Sequence, residues 1–230
     1  FGSDLRAGHC RLEPKVEIAA KSTSPLTWRV AGLDRAAAPT VSLTDGRPAF
    51  GGTPSDASVV AAIRDLAARG LAVTLTPFIL MDIAAGNSLP DPWTGSATQP
   101  AYPWRGRITV TPAPGRSGTP DKTASAATEV AALIGTAAVA DFSISGDDVV
   151  YTGPAEWTLR RMVLHYAHLA KAAGGVDAFV LGSELRGLTQ VRSSATSYPV
   201  VAALVQLAVD VRTVLGPATR IVYAADWSAH

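Results

Sequence analysis

Apolar residues recur along the chain in two periods. In three places a stretch with helical spacing is followed by a short, nearly continuous apolar run. Spacings of three and four residues put side chains on one helical face, whereas a short unbroken run reads as a strand buried on both faces. In the first unit, Thr53-Pro54-Ser55-Asp56 predicts a helix start with Thr53 as N-cap and Pro54 at the first helical position. Val59, Ile63, Leu66 and Ala67 share a face, Gly70 ends the helix, and residues 71–80 follow as a strand in which Pro77 sits late. The second helix is predicted from near Gly153-Pro154 to Gly174-Gly175, with an apolar stripe of Leu159, Met162, Val163, Tyr166, Leu169 and Ala170. A strand over 176–183 comes next. The third helix begins at Pro199, carries Leu204, Leu207, Val211 and Val214, stops at Gly216-Pro217, and leads into a strand over 219–226.

Helix and strand in alternation predict an α/β fold with a parallel sheet. A doubly wound sheet and a (β/α)8 TIM barrel both satisfy the pattern. No Gly-x-Gly-x-x-Gly follows any of the strands, which lowers the dinucleotide-binding option. The strands end in Met81-Asp82, Ser183-Glu184 and Asp226-Trp227, and barrels carry their active-site groups at carboxyl ends of strands. The barrel is therefore favoured. Eight βα units need about 250 residues, and residues 82–152 contain no clean unit. That segment reads as an inserted excursion, rich in Pro, Gly and Trp from Asn87 to Arg107, then a helix over Lys122–Ile134. A hairpin pairing Phe142–Ile144 with Val149–Tyr151 follows. The whole of 1–230 thus reads as an incomplete slice of a barrel, with 82–152 expected to fold as a lid over the strand ends.

Charge narrows the choice of partner. Twenty Lys and Arg against 19 Asp and Glu leave +1, which argues against a nucleic-acid surface. No apolar run reaches a membrane-spanning length and Phe1 begins no signal-like segment, so neither membrane insertion nor a leader is expected. A single cysteine, Cys10, excludes a disulfide framework or a Cys-built metal cage. His9-Cys10 makes too weak a pair for a metal site, and no cofactor is expected. His165 and His168 share a helix face and are expected at its surface.

Only five glutamates occur, and Glu184 stands at a strand end after two small residues. From there its carboxylate can project into the barrel mouth, where apolar walls would raise its pKa towards that of a general acid; the alternative is a helix cap or a pair with Arg186. Asp226 beside Trp227 suits a sugar site, with an indole for the hexose face and a carboxylate for its hydroxyls. Asp82 holds the equivalent position on its strand. In the excursion Trp93, Tyr102 and Trp104 can serve as carbohydrate platforms or as loop anchors, and Arg105 and Arg107 can bind an anionic substrate or brace the loop.

Five segments in order carry a resemblance: Gly51-Gly-Thr-Pro-Ser-Asp56, Pro77-Phe-Ile-Leu-Met-Asp82, Pro103-Trp-Arg-Gly-Arg-Ile-Thr109, Gly174 through Thr189, and Tyr223-Ala-Ala-Asp-Trp-Ser228. Together they resemble the TIM-barrel-like, glycoside-hydrolase-like domain of gene transfer agent and phage tail host-specificity proteins. The resemblance implies a place in the tail tip of a virion or phage-like particle. It implies other tail-tip proteins and the rest of a larger chain as partners, and envelope polysaccharide or peptidoglycan glycan as substrate. By analogy with retaining barrel glycosidases, Glu184 becomes the acid/base, with Asp226, Trp227, Asp82, Trp104 and Arg105 as substrate contacts. It also implies that Phe1–Arg6 follows an early strand and that further strands lie beyond His230. One departure is Ala229, where the family pattern has a glutamate after Asp-Trp-Ser. A non-catalytic, receptor-binding or structural domain derived from a glycosidase is the alternative. Because the second carboxylate of a glycosidase pair is not visible, the slice alone is expected to lack turnover.

Overall fold

The computed structural model describes residues 1–17 and 27–228; the Ala229 departure and His230 lie outside the described residues. Two small antiparallel hairpins come first, β1 (Arg29–Val30) with β2 (Leu33–Asp34) and β3 (Leu43–Thr44) with β4 (Arg47–Pro48). Then follow α1 (Asp56–Ala68), β5 (Thr74–Leu75), α2 (Ala124–Ile134), the hairpin β6 (Phe142–Ser145) and β7 (Asp148–Tyr151), and α3 (Leu159–Ala172). The chain closes with β8 (Ala178–Ser183), the short α4 (Arg186–Thr189), α5 (Pro199–Leu215) and β9 (Arg220–Ala224).

The central sheet runs β5-β8-β9, and both pairings are parallel. Beyond Leu75 the first strand loses regular pairing, because Pro77 has no N–H to donate. It resumes at Met81, which bridges in parallel to Gly2 through Gly2 N–H to the Leu80 carbonyl (2.8 Å) and Asp82 N–H to the Gly2 carbonyl (3.0 Å). Alternation sorts the side chains. Val73, Ile79, Phe179 and Leu181 join one core with Val60 and Ile63 of α1, Val163 and Leu164 of α3, and Leu207 and Val211 of α5. Thr74, Thr76, Phe78, Val222 and Ala224 are exposed on the opposite face. Strands in sequential order with helices gathered on one face form a barrel wall; a doubly wound sheet carries helices on both faces. Among the described residues this wall does not close into a barrel. Along the other edge of β5 lies a cavity of about 280 Å³ whose walls include Val59, Leu75, Pro77, Met162 and Tyr166.

Three sequence expectations need correction. Helix α1 starts two residues later than expected. Ser55 is its N-cap, accepting from Ser58 N–H at 3.1 Å, and Asp56 opens the helix. Thr53 is engaged elsewhere, its hydroxyl accepting from Lys15 N–H (3.1 Å) and its carbonyl from the Trp28 indole (2.9 Å). Its buried face is Val60 and Ile63, while Leu66 and Ala67 face water. Helix α3 likewise starts at Leu159, capped by Thr158, because the Glu156 carboxylate is bound to the 136–137 backbone, at 2.9 Å from both Thr136 and Ala137 N–H. His165 and His168, expected at the surface, are buried. Nε2 of His165 lies 3.0 Å from Asp56 Oδ1, and His168 stacks on Phe142 at 5.0 Å. Burial holds the His168 pKa below the ordinary histidine value. The cause is tertiary: α1 and α5 contact α3, and so does the β6–β7 hairpin, leaving little of its circumference to water.

Candidate functional site

Strand β8 delivers Glu184. Its pairing with β9 shifts register between Val180 and Ser183, a bulge-like irregularity of the kind that re-aims a side chain at a strand end. Glu184 then adopts φ +56°, a left-handed backbone that costs a residue bearing a Cβ about 1–3 kcal/mol. Strand β9 pins this turn: Glu184 N–H donates to the Ala224 carbonyl and Leu185 N–H to the Tyr223 hydroxyl, both at 2.8 Å.

The excursion brings two side chains to this carboxylate. The Trp104 indole N–H donates to Glu184 Oε2 at 2.7 Å, and Arg105 places a guanidinium nitrogen 2.7 Å from the same oxygen. Arg105 is buried. It also donates to the Ser183 carbonyl (2.9 Å) and hydroxyl (2.8 Å), and its guanidinium lies 3.8 Å from the ring centroid of Phe78. Burial draws the Arg105 pKa down, and the Glu184 charge opposes that shift. Two donors on Oε2 leave Oε1 without a hydrogen bond among the described residues. The apolar walls expected around Glu184 are therefore replaced by an indole N–H and a cation, and its partner is Arg105 rather than Arg186.

Two glycines let the excursion sit so close. A Cβ on Gly187 would meet the carbonyl oxygens of Gly106 and Ile108 at 2.6 Å, and one on Gly106 would meet the Trp104 ring at 2.4 Å. Further anchors are the Trp93 indole, donating to the Arg107 carbonyl at 2.7 Å, and the parallel bridge of Thr109 to Arg6. Beyond this stretch the excursion is not a lid: α2 packs on α5, and the β6–β7 hairpin packs on α3.

The other sequence candidates lie apart from this trio. Asp82 has a fully buried carboxylate held by Lys15 Nζ (2.5 Å) and the Ser42 hydroxyl (2.5 Å), which leaves it no oxygen exposed to a ligand. Tyr102 sits beside that cluster, its hydroxyl 2.6 Å from Thr44 Oγ1. Asp226 turns its carboxylate onto its own loop, accepting from the Ser228 hydroxyl and from Ser228 N–H at 2.9 Å. The hydroxyl bond above all holds its pKa below the usual carboxylate range. Trp227 is 86 % exposed. Cys10 is buried, and burial pushes its thiol up to about 11. Among the described residues no cluster of three or more His, Cys, Asp or Glu could hold a metal.

Sequence reasoning missed Tyr223 and Phe78 as parts of this arrangement. Alternation along β9 indicates that Tyr223 faces away from Val222, but nothing local ties its hydroxyl to an amide 38 residues earlier. Phe78 reads as one more apolar strand residue, although it is half exposed beneath Arg105.

A singly wound parallel α/β wall with an acidic residue at a strand's carboxyl end is the design of a TIM-barrel-like domain. Residues 157–230 match the family model of the GTA TIM-barrel-like domain, and that stretch contains Glu184, Asp226 and Trp227. The same family resemblance is carried by the sequence motifs. No curated protein matches the chain. Among the described residues no helix is long and apolar enough to cross a membrane.

Proposed function

We propose that the strand-end mouth around Glu184 is a glycan-processing site of a gene-transfer-agent-like particle, acting on envelope polysaccharide or peptidoglycan glycan. The observation that carries this reading is Glu184 itself, in a left-handed backbone at the end of β8 with its carboxylate fixed by Trp104 and Arg105. Strained residues cluster at functional sites, and catalytic groups of barrels come from strand ends. Oε1 is the atom free to exchange a proton with a glycosidic oxygen. Arg105 and Trp104 orient the carboxylate, and Trp227 offers an exposed ring for a sugar face. The Arg105 contact favours a second reading, glycan recognition without turnover, since it ties Oε2 of Glu184 into an ion pair within the protein. No second carboxylate bonds into the cluster among the described residues. Under either reading the domain serves at the tail tip, beside other tail proteins.

The test is hydrolysis of purified envelope glycans by the full-length domain that carries this chain and by its Glu184→Gln variant. Proton donation contributes about 10²–10⁴-fold to rate, so a loss of that order in the variant is expected. Equal rates would remove Glu184 as the acid. Activity in neither, with binding retained, would select recognition without turnover.

A further inference from the structure

We propose that the cleft beside Glu184, walled by Trp93 and Trp104, binds an acidic sugar residue whose carboxylate is held by Arg107 and Arg186. The proposal rests on the glycan reading of the mouth and adds the class of sugar. The cleft is an open groove of about 220 Å³ lined by Trp93, Trp104, Arg107, Arg186, Gly187 and Gln190. That is room for a single pyranose ring.

Its two indoles are fixed in advance. Trp93 donates its N–H to the Arg107 carbonyl and Trp104 donates to Glu184, so what they offer a ligand is an apolar ring surface. The apolar C–H face of a pyranose fits such a surface. The lining cations are less committed. Arg107 reaches the carboxylate of Asp91 only at 3.4 Å, longer than a good charge-assisted bond. Arg186 is exposed, and its guanidinium makes no hydrogen bond or ion pair among the described residues, its charge acting on Asp226 only through space. The carboxylates nearby are engaged elsewhere: Asp91 caps Trp93 N–H at 2.7 Å, Glu184 holds Arg105 through Oε2 and keeps Oε1 free, and Asp226 holds Ser228. Arg107 and Arg186 therefore both line one aromatic slot with donors to spare, and a planar carboxylate is the group that fits a guanidinium fork. Gln190 adds an amide for ring hydroxyls. The cleft adjoins Trp104, so an acidic residue seated there lies next to the sugar that meets Glu184.

The experiment measures binding of three probes to the chain by calorimetry at low ionic strength: trigalacturonate, its methyl ester and a hyaluronan tetrasaccharide. At least one acidic probe is expected to bind, with the ester about tenfold weaker than trigalacturonate if that is the acid bound; Arg186→Gln should weaken the acid by about tenfold, a difference of about 1.4 kcal/mol, and leave the ester unchanged. Binding of neither acid, equal binding of acid and ester, or no effect of Arg186→Gln would overturn the proposal. So would capture of a single-stranded oligodeoxynucleotide in place of both acids. The glycan-processing reading fails separately: acid-selective binding by the chain with no hydrolysis by the full-length domain defeats turnover at Glu184 alone. Hydrolysis that persists with no preference for acid defeats the cleft alone.

Discussion

Glu184 combines two opposing contributions. Its left-handed backbone destabilises the fold, and its carboxylate gains Trp104 and Arg105 in return. The two can be separated by substitution. Glu184→Ala and Glu184→Gly both delete the carboxylate, but only alanine retains a Cβ in the left-handed region. Glycine is therefore expected to be the more stable of the two by about 1–2 kcal/mol in urea denaturation. Equal stabilities would mean that the turn relaxes and that no strain is held there. Residue identity and strand-end position made Glu184 legible in the sequence. The sign of φ was not, since it follows from the register shift against β9 and from the Ala224 carbonyl that captures the Glu184 amide.

Elements were legible where their signals are local. Pro199 and Gly216 bracket α5 as expected, and the β6–β7 hairpin forms in the expected register, Phe142 opposite Tyr151 and Ile144 opposite Val149. The starts of α1 and α3 shifted because Thr53 and Glu156 bond to distant backbone, which no local propensity encodes. The docking of the 104–108 stretch on α4 is also an element-scale property, and it depends on absent side chains. In Gly187→Ala the new Cβ would lie 2.6 Å from two carbonyl oxygens, contacts that only backbone movement can relieve. Overpacking of this kind costs about 1–3 kcal/mol. The variant is expected to lose that much stability and to release Trp104 from Glu184, seen as a red-shifted tryptophan emission. Unchanged emission and stability would show that the stretch docks without this close approach.

Across the whole molecule, one core joins the sheet to α1, α3 and α5 and takes in Leu5, Ala7, Cys10 and Leu12 of the chain's first residues, to which Lys15 adds an ionic contact. Lys15 reaches across to Asp82 at the end of the first sheet strand, and Ser42 closes the cluster from the β3 side. Burial pushes the Asp82 carboxyl up, but Lys15 and Ser42 outweigh it and hold it below the usual carboxylate range. A carboxyl depressed in the folded state contributes stability that is present above its unfolded value of about 3.9 and is lost as pH falls through its folded value. The urea midpoint is therefore expected to drop below about pH 4, and the drop should shrink in the Asp82→Asn, Lys15→Met double variant. Lys15→Met alone leaves a buried carboxylate without its cation, which typically costs about 3–5 kcal/mol at neutral pH. An acid limb identical in the double variant and the parent would assign acid unfolding to other carboxylates, with Asp4 the next to test.

By itself the sequence determined what short-range chemistry can write. Periodicity set the three helix–strand units, and Pro199 and Gly216 set the ends of α5; that one face of the strands stays exposed, where unbroken apolar runs predicted burial on both, was decided by the tertiary structure. Those strand ends in turn exposed Glu184, Asp82 and Asp226 as candidates. Tertiary structure alone decided which of them share a site. Asp82 and Glu184 occupy equivalent places on adjacent strands, yet one is sealed by Lys15 and the other opens beside an aromatic cleft. The difference arises because partners far along the chain compete for each carboxylate. That competition depends on distances in space, which a pattern of neighbours in sequence does not contain.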